Sequence, residues 1–269
     1  EELNKRYSAI ESMIQEDNIS MKPKYLFFED CLKKVIDIER LHRRLGLKML
    51  QPADFGSLDT SYIYILEMLE YDDEVLNKIK PTKQHIDNFK QFIEEYRKDF
   101  NMDEIVKYHL DKITNSFFNK NIIEKIDKLQ ESIDKSKILF KAIATKLSHL
   151  IEPHSNFVKC EYNEVRGHHL CCTTKRCNVL KSRFSNLNYT DINFKLNLND
   201  SIKINPKVFT FKGLNSSKTS THINCEMLEN TSHKLISYTH KIQELCIKNY
   251  LEKCVYYNQK YQESLREIS

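Results

Sequence analysis

The chain has 269 residues, 40% of them hydrophobic, which is enough for one large domain or two ordinary ones with a real core. Four glycines, five prolines and no tryptophan are too few turn formers for an all-β sandwich or barrel, so long helices are the first expectation. Charged residues make up 30% with a net of only +4, so bulk charge announces neither nucleic acid nor membrane, and no run of eighteen apolar residues is present.

The opening EELNKRYSAIE lacks the basic and then apolar layout of a signal peptide. It reads like the middle of a helix, and the expectation is a piece of something longer. Leu3, Tyr7, Ile10 and Ile14 form one stripe at helical spacing. A second run, residues 24–50, carries another apolar stripe until Gln51-Pro52 stops it, because proline has no amide hydrogen to continue the ladder. FGSLDTSYIYILEMLE follows as a further helix, Lys80-Pro81 marks the next break, and Ile86, Phe89, Phe92, Ile93 and Tyr96 repeat the helical pattern. Residues 1–120 therefore read as a helical core.

From Asn121 the period becomes a heptad seam: Ile122, Ile126, Leu129, Ile133, Ser136, Phe140, Ile143, Leu147 and Leu150, with one polar interruption. A helix over 121–152 would be about 48 Å long at 1.5 Å per residue. A comparable seam over 226–269 begins with Leu228, Leu235, Tyr238, Ile242 and Leu245. After a slip near Cys246 it continues through Tyr250, Tyr257, Tyr261 and Leu265. The two predict an antiparallel helix pair.

Pro153 ends the first long helix, and residues 153–225 change character. FVKCEYN, RGHHLCCT, INFKLNL, IKIN, VFTFK and SKTSTHI are short, β-branched or alternating, with a helical pattern TKRCNVLKSRF between the second and third. Residues 156–220 hold eleven Lys and Arg against four acids, a net of +7 that leaves the rest of the chain at −3. A basic tip on acidic-to-neutral arms is the layout expected for gripping a polyanion.

Three stretches carry a resemblance. IDIERLHRRLGLKMLQPADFGSLDTSY (36–62) is similar to the part of MutS mismatch-repair proteins in which a D-I/L-E-R helix precedes a proline-started helix. EELNKRYSAIE resembles the segment before it in that family. VKCEYNEVRGHHLCCTTKR (158–176) resembles the start of the family's clamp, where a strand ending E-Y-N-x-x-x-G leads into a second strand and then T-x-K/R. The order of parts is also similar: helical core, outgoing lever helix, β-rich clamp, returning lever helix. Richness in asparagine and lysine points within the family to the branch of large DNA viruses.

The resemblance implies a mainly α fold, with a helical core (1–120), long antiparallel lever helices (121–152 and 226–269) and a small inserted α+β clamp (153–225). It implies a clamp that closes on the backbone of double-stranded DNA without reading sequence, since phosphate contacts position a protein but do not specify bases. Carried onto FKGLNSSKTST, the backbone-contacting role falls on Lys212, Asn215, Ser216, Ser217, Lys218 and Thr219. The implied partners are duplex DNA, other MutS domains and a second MutS subunit, with no membrane. The chain departs from the family in having no mismatch-recognition domain with a Phe-x-Glu wedge ahead of the helical core and no G-x-x-x-x-G-K-S/T loop, so ATP and Mg are expected only in an ATPase domain of the full-length parent, which would be the DNA-dependent ATPase. His168, His169, Cys171 and Cys172 replace the aromatic and small residues more usual on that clamp strand.

Other features have blander readings. Adjacent residues on a strand point to opposite faces, so His168, His169, Cys171, Cys172 and Cys177 suggest a packed strand and no metal site. Asp37 and Glu39 diverge on a helix, Glu39 and Arg43 suit an i,i+4 ion pair, and Arg40, His42, Arg43 and Arg44 read as a solvated basic face or a docking point for another domain. No spacing suggests a catalytic residue. Eight cysteines, four of them in apolar periodic patterns, suggest free thiols in a reducing intracellular compartment, whether nuclear, viral-factory or cytoplasmic. The alternative class is a secreted or surface helical coiled-coil module that binds protein, suggested by sequons at Asn18, Asn188, Asn215 and Asn230 and by the even cysteine count.

Overall fold

The computed structural model describes residues 2–17, 21–78, 80–197, 199–214 and 217–269, which exclude the sequon at Asn18 and the residues Asn215 and Ser216. The fold is mainly helical with a small antiparallel sheet. It divides into two units, residues 1–124 with 243–269, and residues 125–242. Among the described residues no helix is long and apolar enough to cross a membrane.

The first unit holds α1 (Glu2–Ile14), α2 (Lys24–Leu32), α3 (Ile38–Gly46), α4 (Pro52–Glu70), α5 (Lys83–Asp99) and the short α6 (Met102–Ile105). Two expectations fail here. The stripe Leu3, Tyr7, Ile10, Ile14 does not face a core: these side chains are 56–64% exposed, and α1 turns Ala9 and Ser12 inward instead. The reason is a polar anchor. Ser12 Oγ donates to Asp73 Oδ2 at 3.0 Å, and Lys24 Nζ donates to the same oxygen at 2.6 Å. The run 24–50 is also two helices rather than one. Asp37 caps the second, its carboxylate accepting from the Arg40 amide at 3.0 Å and so satisfying an orphan donor of a new helix.

Pro52 occupies the first turn of α4, where its lost N–H costs nothing, and the Gln51 amide donates to Asp54 Oδ2 at 2.9 Å to close a capping box. The unit's core is aromatic. Phe55 lies 5.3 Å from Tyr96, 5.3 Å from Phe100 and 6.1 Å from Tyr250, mostly in tilted or edge-on arrangements that suit ring quadrupoles. Tyr250 belongs to α9 (Glu226–Ile268), a single 43-residue helix. Its buried stripe here is Cys246, Tyr250, Cys254, Tyr257, Tyr261 and Leu265. The slip expected near Cys246 is seen as a shift of one residue between the phase of Leu228, Leu235 and Ile242 and that of Tyr250 and Tyr257, and Cys246 and Cys254 fill the stripe there as small apolar residues.

The second unit begins with α7 (Glu124–Ile151). It starts three residues after Asn121, which adopts φ 67°, and a left-handed residue cannot open a right-handed helix. Ile126, Ile133, Phe140, Ile143 and Leu147 are buried along it. Then follow β1 (Lys159–Asn163), β2 (Gly167–Thr173), α8 (Thr174–Asn186), β3 (Ile192–Lys195), β4 (Ser201–Ile204), β5 (Thr210–Leu214) and β6 (Ser217–Asn224). The main sheet is antiparallel in the order β1-β2-β6-β5, and β3 pairs with β4 apart from it. Leu170 of β2 stands opposite Ile223 of β6, and both enter a core with Phe140, Leu147, Leu180, Phe184, Phe194 and Leu228.

The β1–β2 turn explains the E-Y-N-x-x-x-G spacing. Asn163 Oδ1 accepts from the Arg166 amide at 2.7 Å, and Gly167 then takes φ 68°. A Cβ on Gly167 would lie 2.6 Å from Ser232 Oγ and 2.9 Å from Ile236 Cδ1. The same Ser232 hydroxyl accepts from the His168 amide at 2.8 Å.

Candidate nucleic-acid interface

The β5–β6 hairpin carries the residues that the sequence nominates for phosphate contact. Lys212 is exposed on β5, opposite His222 of β6. Ser217 opens β6 opposite Leu214, Lys218 follows it, and Thr219 is exposed on the same strand. Asn215 and Ser216, between the strands, lie outside the described residues.

Beside β6 lies α8, whose cations are held against rings. The Arg176 guanidinium sits 3.4 Å from the centroid of Phe157, and Lys181 Nζ sits 5.1 Å from that of Phe211. Such stacking orients a charge without neutralising it, so both cations keep their attraction for phosphate. Lys175 and Arg183 of the same helix are exposed.

A second basic feature was not legible in the sequence. A cleft of about 760 Å³ is lined by Lys137 and Lys141 of α7, His149, His154, Lys159 and His168, with Phe140, Ala144, Val158 and Leu235 as its apolar part. No carboxylate lines it, and among the described residues Lys141 and Lys159 make no ion pair. Burial, with Lys137 and His169 nearby, lowers the His168 imidazole below its ordinary value. A concavity of one sign with low-dielectric walls concentrates an attractive field on anions. The only signal for it was Lys137, Lys141 and His149 at helical spacing, on a helix outside the basic insert.

The histidine and cysteine residues of β2 diverge. His168 packs 4.8 Å from the Tyr162 ring, whereas His169 is buried against His222 at 4.9 Å, its Nδ1 bonded to the Gly167 carbonyl at 2.9 Å. Cys172 meets Cys177 of α8, with Sγ atoms 3.0 Å apart. Among the described residues no group of three or more His, Cys, Asp and Glu is placed to hold a metal ion. All eight cysteines are free thiols, seven of them buried.

The basic cluster on α3 differs from a uniformly solvated face. Arg40 pairs with Asp37 at 3.3 Å and Arg44 with Asp54 at 3.1 Å, and the expected Glu39–Arg43 pair is not among the ion pairs of the described residues. His42 turns inward between Tyr62 Oη and Ser269 Oγ, 2.7 Å from each, and burial pulls its imidazole down to about 4. It is neutral at physiological pH and takes no part in a cationic surface. Asn188, with φ 47°, and Asn230 of α9 are exposed.

No family model matches the chain. Over its whole length the chain is similar, at 28% identity across 280 aligned positions, to a protein of Acanthamoeba polyphaga mimivirus described as a DNA mismatch repair MutS homolog. The chain spans 24% of that relative's length.

Proposed function

We propose that this chain is the lever and clamp portion of a MutS-like mismatch-repair protein, holding duplex DNA by its backbone without sequence preference. The observation that carries the reading is the similarity to the mimivirus MutS homolog along the entire chain. The arrangement supports it: α7 and the first half of α9 bracket a small α/β unit in which Lys175, Arg176, Lys181, Lys212 and Lys218 are concentrated. In this reading α7 and α9 are the levers and residues 153–225 the clamp. They transmit motion driven by ATP and Mg, which bind in the ATPase domain of the full-length parent. The other partners are further MutS domains and a second MutS subunit, and the setting is a reducing intracellular compartment.

The test is fluorescence-anisotropy titration of a mixed-sequence duplex over a salt series, with the chain as it stands and with Lys212→Ala/Lys218→Ala. Each phosphate contact releases counterions, so the log–log salt slope should be steep and should shrink by about two in the double variant. A slope unchanged by the substitutions removes these two lysines from the interface. Absence of binding at low salt counts against the reading and favours the protein-binding coiled coil.

A further inference from the structure

Two thiols meet where β2 passes into α8. Cys172 is the next-to-last residue of β2 and Cys177 the fourth residue of α8. Thr173 keeps an extended backbone, φ −68° and ψ 149°, and the first turn of the helix then brings Cys177 back over the end of the strand. Both side chains are buried, at 6% and 1% exposure, and their Sγ atoms are 3.0 Å apart. Bonded sulfurs lie about 2.05 Å apart, so joining these two requires an approach of about 1 Å. Cys171, the neighbour on β2, points to the opposite face, as successive strand residues do.

The two thiols are not equivalent. Hydrogen bonds from Cys172 and Thr221, with Lys181 nearby, hold the Cys177 thiol below its ordinary value against the opposing effect of burial. The Cys172 thiol is pushed up, chiefly by its hydrogen bond to Cys177 and then by burial. Cys177 is thus the member suited to attack, and Cys172 the member suited to resolve.

We propose that Cys172 and Cys177 are a redox modification site, closing to a reversible intramolecular disulfide when the protein meets a peroxide. The Cys177 thiolate attacks one oxygen of hydrogen peroxide, the O–O bond breaks, and hydroxide leaves and is protonated to water, giving a sulfenic acid. The Cys172 sulfur then attacks Cys177 Sγ. The S–S bond forms, the S–O bond breaks, and the second hydroxide leaves with the Cys172 proton as water. Two thiols lose two electrons in all, and the peroxide is reduced to two waters. Peroxide is close to water in size, which suits a pair this deeply placed. The site stands whether or not the chain binds DNA. Its location gives it a readout, since Cys172 is opposite Thr221, and Thr221 is opposite Gly213, the neighbour of Lys212.

The experiment is peroxide treatment of the folded chain, alkylation of the remaining thiols after denaturation, and peptide mass mapping. The expected result is loss of two of the eight alkylatable thiols, a mass decrease of about 2 Da before alkylation, a Cys172–Cys177 linked peptide, and full recovery with a dithiol reductant. Cys171→Ser should leave the link intact, which separates Cys172 from its neighbour. Cys172→Ser should stop the reaction at a Cys177 sulfenic acid that a dimedone probe captures. Eight alkylatable thiols after treatment of the wild-type chain overturn the proposal. So does a link joining other cysteines, or the same dimedone adduct in wild type and Cys172→Ser with no linked species.

Discussion

Gly167 and His42 show how single residues set limits on this chain. Gly167 combines φ 68° with a Cβ position 2.6 Å from Ser232 Oγ, so alanine would be strained in its backbone and would displace the hydroxyl that receives the His168 amide. Gly167→Ala should cost about 2–4 kcal/mol, read as a lower urea midpoint. Gly213→Ala is the control. Nothing lies within 4 Å of its Cβ position, and the shift there should stay within about 0.5 kcal/mol. For His42, burial lowers the imidazole from 6.5 to about 4, so the unfolded chain takes up the proton first. Stability is then present above pH 6.5 and is lost as pH falls toward 4, by an amount on the order of 3 kcal/mol, and is level below that. His168 and His222 are lowered as well and act in the same direction. His42→Gln, measured by denaturation across pH 4–7, should therefore flatten the dependence in part; an unchanged slope would mean that His42 titrates normally.

Among elements, the join between α5 and α9 includes the Glu95–Lys260 ion pair and the His85–Ser264 bond, and its buried carboxylate is Asp99. Asp99, the last residue of α5 and 8% exposed, accepts from the Tyr257 hydroxyl and from Lys253 Nζ at 2.6 Å, both on α9. Asp99→Ala leaves a buried hydroxyl and a cation without their acceptor and should cost about 3 kcal/mol, whereas Tyr257→Phe removes one bond and should cost about 1 kcal/mol. Equal losses in chemical denaturation would show that the hydroxyl bond, not the buried carboxylate, holds the join. The same elements show what periodicity reveals. α5, α7 and β3 were legible because one face of each is buried by a core and the other is wet. The buried face of α1 was not, since Ser12, Asp73 and Lys24 turn its polar side inward and leave the apolar stripe of Leu3, Tyr7, Ile10 and Ile14 exposed. The break at residues 33–37 was hidden for a related reason. Asp37 sits in IDIER as an ordinary surface acid until its carboxylate is seen to cap α3.

For the molecule as a whole, each unit has a core of its own, aromatic in one and mixed in the other, while positive charge gathers in the unit of residues 125–242. The insert's charge was visible by counting. The cleft was not, because α7, the residues around His154, and β1 and β2 supply its walls from separate stretches of chain. If phosphates also reach that cleft, Lys141→Ala/Lys159→Ala should lower the salt slope of duplex binding by about two, independently of Lys212 and Lys218. An unaltered slope would confine the DNA path to the hairpin.

The strand order β1-β2-β6-β5 leaves β1 and β5 with one open side each. Open strand borders invite pairing with another polypeptide, and charged side chains are a usual deterrent. β1 bears Lys159 and Glu161, every one of its residues is exposed, and β5 bears Lys212. The lysine proposed for phosphate contact thus also sits where a charge deters such pairing, and Lys212→Val should raise self-association, read by light scattering at rising concentration.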